Sequence, residues 1–157
     1  MLDLAAGSGR HARYLSAQGY RVVAVDRDTS RMADLGPDAR VELVEADLEN
    51  APWPFGGRTF EGIVVTNYLQ RPLLPTLAGS LLPGGVLIYE TFAEGNEKYG
   101  KPTNPDFLLR EGELLRAFSG TLAVVAYEHG YDADPKPAIR QRICAQATAE
   151  HRPPPTA

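Results

Sequence analysis

The chain has 157 residues, 43% of them hydrophobic, and a formal net charge of −4. That length suits one domain with a single core, burying roughly 70% of its unfolded surface without a disulfide scaffold. The acidic balance argues against nucleic acid, whose phosphates need a basic face. The longest apolar runs, such as Leu122 to Tyr127, are strand-sized and do not suit a membrane span.

The single cysteine, Cys144, has no partner for an internal disulfide. This fits a reducing compartment, and Met1-Leu2-Asp3 carries no secretory pattern, so a cytoplasmic location is expected.

In chain order, short apolar runs alternate with helical or turn-rich stretches. Met1–Ala5, Arg21–Asp26, Val41–Glu45, Glu61–Thr66 and Val86–Thr91 read as buried parallel strands. Arg10–Gln18 reads as a helix stopped by Gly19, and Thr29–Leu35 as a short helix with Thr29 as its cap. Leu73–Leu82 is a third helix, with Pro75 tolerated in its first turn, and Arg110–Phe118 a fourth. Strand and helix in alternation predict an α/β sheet with right-handed crossovers. Thr121–Glu128 and Ala138–Ala147 have only a turn-rich stretch between them and should pair antiparallel. The domain is expected over residues 1–147, with a flexible tail at 148–157.

The chemistry concentrates after the first strand. In Ala5-Ala6-Gly7-Ser8-Gly9-Arg10 the two glycines permit a tight turn and let backbone N–H groups approach a ligand. Asp26, at the end of the next strand, can accept hydrogen bonds from both hydroxyls of a ribose. Gly7-Ser8-Gly9-Arg10-His11-Ala12 also fits the G-x-G-x-x-A pattern of pyridine-dinucleotide oxidoreductases. Against that reading, Asp3 lies inside the preceding strand, where a dinucleotide-binding strand is usually apolar. Asp47 offers a carboxylate to an adenine amino group at the end of the third strand, and Pro83-Gly84-Gly85 turns sharply into the fifth.

With those motifs in order, the chain resembles the class I S-adenosylmethionine-dependent methyltransferases, and within them the small bacterial tellurite-resistance-like ones. Asp3-Leu4-Ala5-Ala6-Gly7-Ser8-Gly9 matches the family's D-L-G-C-G-T-G, with Ala5 in place of its first glycine. The resemblance implies a Rossmann-like seven-stranded sheet of order 3-2-1-4-5-7-6, with an antiparallel C-terminal hairpin. It implies S-adenosylmethionine as cofactor, held by Asp3, Ala5, Gly7, Ser8, Gly9, Asp26, Arg27, Asp47, Leu48 and Asn67. It leaves two alternatives: an NAD(P)-binding oxidoreductase, and a catalytically silent or truncated cofactor-binding domain.

The acceptor, expected to be a small molecule, should bind beyond the fourth and fifth strands, near Tyr68, Arg71 and Glu90. No catalytic residue can be named, and His11, His129 and His151 lack the spacing of a metal site. The irregular Ala93–Phe107 segment suits a lid. The family's helices before strand one are missing from this sequence. That leads us to expect an open apolar patch near the site, and either a shortened chain or a two-fold dimer that covers the patch.

Overall fold

The computed structural model describes residues 1–150, so most of the expected tail lies outside the described residues. Seven strands form one sheet of order β3-β2-β1-β4-β5-β7-β6, as the resemblance implies. They are β1 (Leu2–Leu4), β2 (Val22–Asp26), β3 (Val41–Glu45), β4 (Phe60–Thr66), β5 (Leu81–Phe92), β6 (Ala123–Asp132) and β7 (Ala138–Gln146). β1 to β5 pair parallel, and β7 runs antiparallel to both β5 and β6. No described helix is long and apolar enough to cross a membrane.

Helices α1 (Arg10–Ala17), α2 (Leu74–Gly79) and α3 (Glu113–Phe118) join these strands. On one face, Leu77 of α2 and Leu114 and Phe118 of α3 pack into a core with Leu2, Ile63, Leu87, Tyr89 and Ile143. Trp53 and Phe55 edge this core, their rings in a T-shaped contact at 5.0 Å. On the other face, Ala12 of α1 packs with Met32 and Leu35 against Val22 and Ala24 of β2. That second cover is confined to the β1–β3 side. Ile88 of β5 is 49% exposed, and Val125 in the β6 bulge is 65% exposed. Polar pairs fill much of the intervening surface: Glu90 bonds Arg140 and Arg142, and Arg142 reaches Asp132 and Glu128. The uncovered apolar area is therefore broken up by charge.

Several elements are shorter or tighter than the pattern suggests. Residues Ser30–Leu35 form a 3-10 turn rather than an α-helix. The Thr29 hydroxyl does not cap it but donates to Glu45. The third helix ends at Gly79, because Leu81 already belongs to β5 and pairs with Phe60 of β4. Pairing then jumps from Phe60–Leu81 to Gly62–Val86, so the Pro83-Gly84-Gly85 turn becomes an irregularity inside a long strand. The fourth helix starts only at Glu113, after Gly112 in the left-handed region at φ 64°. β6 runs on to Asp132, lengthening the hairpin beyond the expected Glu128.

Phe118 is fully buried and lies 6.3 Å from the Tyr89 ring, centroid to centroid. Phe118→Ala should cost about 3–5 kcal/mol of stability, through lost burial and a cavity that the short α3 cannot collapse into. Urea unfolding of the variant measures this; a loss below about 1 kcal/mol would mean the α3 side of the core is loosely packed.

Candidate functional site: a cleft at the switch point of the sheet

The carboxyl ends of β1 and β4 lie side by side where the strand order reverses, and ligands of such sheets bind in that crevice. Ala5 (φ 52°) and Asn67 (φ 55°), just past those ends, both adopt the left-handed conformation. Asn tolerates it; for Ala the strain is on the order of 1–2 kcal/mol.

Between β1 and α1 the chain turns through Ala6–Gly9. No side chain of the loop itself caps α1. Instead the carboxylate of Asp3, inside β1, accepts the N–H of Ala12 at 2.9 Å. Asp3 is thus a cap delivered from the neighbouring strand. It is 1% exposed and is not among the residues lining the cleft; its carboxylate holds the loop. Burial raises its carboxyl from the usual 3.8 to about 6, against the opposing effect of the Ala12 bond. His11 comes within 4.0 Å of Asp3, too far for a hydrogen bond, and burial lowers its imidazole.

Within the loop, Gly7 N–H donates to Asp26 at 2.8 Å, and Asp28 N–H donates to the second Asp26 oxygen at 3.2 Å. The two glycines differ. A Cβ on Gly7 would meet nothing within 4 Å, leaving open space above the loop. A Cβ on Gly9 would strike Met32 at 2.9 Å, so the packing beneath the loop requires Gly9. Ser8 is exposed, and its carbonyl accepts from Arg13.

A cleft of about 250 Å³ opens over this edge. It gathers Ala5, Asp26, Arg27, Asp47 and Leu48 from the expected cofactor set, and Tyr68 from the acceptor set. The sequence reading missed Ala46, Glu49 and Asn50, which complete the wall. Asp47 is engaged locally: one oxygen accepts the N–H groups of Glu49 and Asn50, the other the Asn50 amide. These bonds hold its carboxyl below the usual range.

A second cleft, of about 220 Å³, adjoins the first and shares Glu49 and Tyr68 with it. Asn67, Leu69, Phe92, Pro102 and Phe107 line it, so the Ala93–Phe107 segment does supply a wall. The Tyr68 hydroxyl is buried with no hydrogen-bond partner among the described residues. Burial, then Glu49, Asp47 and Asp26, push it up to about 12, so it stays a proton donor.

Two expected acceptor contacts are otherwise occupied. Arg71 bonds both Glu113 oxygens and the carbonyls of Asp106 and Leu108, using four of its five N–H donors. It straps the wall segment to α3. Glu90 is held by Arg140 and Arg142. Arg140 also donates to Asn67 at 2.7 Å and stacks on Phe92 at 4.1 Å. No local signal in the sequence marks it, because the antiparallel register of β7 on β5 is what sets it opposite Phe92.

A family model described as "Methyltransferase domain" matches residues 1–85. A demethylmenaquinone methyltransferase of Clavibacter sepedonicus is 32% identical over an alignment of 102 residues that covers 59% of this chain. The matched region spans 41% of that relative's length. Among solved structures, TehB from Haemophilus influenzae has a TM-score of 0.72 at 18% identity, over 94% of this chain and 57% of that one. A Burkholderia thailandensis 1,6-didemethyltoxoflavin-N1-methyltransferase, solved with 1,6-didemethyltoxoflavin and S-adenosylhomocysteine, has a TM-score of 0.68 at 22% identity. That match covers 94% of this chain and 70% of the other. Both structures share the fold.

The raised Asp3 carboxyl gives a pH test. The native state binds this proton up to about pH 6, the unfolded chain only to about 3.8, so between those values the native state holds more protons and stability falls as pH rises. Asp3→Asn keeps an acceptor for Ala12 and removes the titration. Relative to wild type, the variant should gain on the order of 2–3 kcal/mol between pH 4 and 7. Denaturant titrations at the two pH values check this, and an unchanged difference would show that Asp3 does not titrate in that window.

Proposed function

The chain belongs to the methyltransferase-domain family, and from that membership we propose that it transfers the methyl group of S-adenosylmethionine to a small-molecule acceptor. When bound, this cofactor supplies an electrophilic methyl group on a positively charged sulfur. The observation that carries the reading is the placement of Asp26 in the switch-point cleft. Each of its oxygens already holds one loop N–H, which fixes the carboxylate to receive a ribose diol.

The chain's own residues fit the rest of that ligand. Leu48 and Ala46 give the cleft an apolar side for a purine ring, with Asp47 and Asn50 beside it. Ala5 forms the floor, Arg27 lies next to Asp26, and Asn67 and Tyr68 stand where the two clefts meet. Asp26, Asp47 and Glu49 outnumber Arg27, which suits a cationic ligand. What remains for the protein is to align the reactants and exclude water.

The dinucleotide alternative meets an obstacle in Asp3. A pyrophosphate needs the N–H groups at the start of the first helix, and the Ala12 N–H is already taken by a buried carboxylate. The second cleft suits a small acceptor, the class named for the Clavibacter and Burkholderia relatives. The net charge of −4 gives a nucleic acid little to bind.

Calorimetry with S-adenosylhomocysteine and NADH tests the cofactor. The first should bind and the second should not. Asp26→Ala should weaken S-adenosylhomocysteine binding by about 1–3 kcal/mol, with Asp47→Ala milder because its oxygens are engaged within their own turn. Unchanged affinity in a folded Asp26→Ala protein would remove Asp26 from the site.

A further inference from the structure

The second cleft has a composition that the proposed transfer does not by itself require. Three aromatic side chains, Tyr68, Phe92 and Phe107, line it together with Leu69 and Pro102, which suits a flat, largely apolar molecule. Its one ionisable group besides the tyrosine is Glu49. Glu49 also lines the cofactor cleft and a third hollow formed with Leu69, Arg71 and Phe107, so it borders the whole edge. Its carboxylate makes no ion pair or side-chain hydrogen bond among the described residues.

Arg27 lines the cofactor cleft and not this one, and two further cations near the edge are committed elsewhere. Arg140 is tied to Asn67 and Glu90 and lies over the outer wall ring of Phe92. Arg71 is bound to Glu113 and two carbonyls. Neither lines the second cleft. An anionic acceptor would therefore lie beside the Glu49 carboxylate with no cationic side chain in the cleft wall to receive it. The Tyr68 hydroxyl, buried and unpartnered, is held in its protonated form by that burial, so it supplies no base to the cleft.

Resting on the proposed methyl transfer, we infer that the acceptor is an uncharged planar aromatic molecule with a nitrogen nucleophile, received between Tyr68, Phe92 and Phe107. The nitrogen lone pair forms the new N–CH3 bond while the C–S electron pair passes to sulfur, leaving a neutral thioether. The product then carries the positive charge, which the Glu49 carboxylate faces, and no proton has to leave first. A phenol, by contrast, must become an anion before it can attack, in a cleft that repels anions.

The test uses protein saturated with S-adenosylhomocysteine at pH 8, titrated calorimetrically with quinoline and with quinoline-4-carboxylate, which share a ring and differ in charge. Quinoline should bind at least about tenfold more tightly, and Glu49→Lys, at an exposed position, should shrink or invert that ratio. Phe107→Ala should weaken both ligands alike. Equal or tighter binding of the carboxylate, or no binding of quinoline to the saturated protein, overturns the acceptor class and leaves the cofactor reading standing. If S-adenosylhomocysteine itself does not bind, both readings fall.

Discussion

The architecture of the site depends on one carboxylate placed where charge is expensive. β1 has only three residues, and Asp3 occupies its middle. A buried acid there would be destabilising without a partner. Its partner is the Ala12 N–H in the first turn of α1, so the strand and the helix are fastened across the intervening loop. Charged hydrogen bonds of this kind are worth about 1.5–3 kcal/mol, and the positive end of the helix adds to the attraction. Asp26 fastens the middle of the same loop through Gly7. Two acids on neighbouring strands thereby fix the backbone before any ligand arrives, which is the preorganisation that a binding site needs.

The C-terminal hairpin contributes in another way. Antiparallel pairing of β7 with β5 sets Arg142 beside Glu90 and Arg140 beside Phe92. The two guanidiniums neutralise Glu90, and one of them reaches on to Asn67 at the end of β4. Gln141, fully buried, accepts from Leu114 N–H and donates to the Arg110 carbonyl. Asn96, nearly as buried, accepts from Ile139 N–H and donates to the carbonyls of Gly100 and Pro102. The wall of the second cleft is thus secured to β7 by side-chain amides and to α3 by Arg71 and Glu113.

Much of this was legible in the sequence because it is local. Strand positions follow from apolar runs, and the acids at strand ends follow from where those runs stop; Asp26 is one example. Partnerships across space were not legible. Arg71 reads as a free cation until α3 brings Glu113 to it, and Asp3 reads as a ligand contact until α1 folds back over β1. Gly7 and Gly9 look equivalent in the loop motif, yet only the structure shows Met32 beneath the second. Glu49 and Asn50 escaped notice because a turn organised by Asp47, not a strand or helix period, turns them toward the cleft. The helices were overestimated because Gly112 and the early pairing of Leu81 each removed residues from a helical pattern.

The methyl group of Ala5 has a further consequence. A glycine at that position would hold the same left-handed backbone at lower cost. The alanine instead covers the end of β1 with a small apolar surface at the bottom of the cleft. A water at that surface would have a hydrocarbon group for one neighbour, which offers it no hydrogen bond, so a ligand would displace it readily. The strain in the backbone is thus coupled to a floor that dries readily, and a ligand's uncharged portion gains more from settling on it than a hydrated anion would.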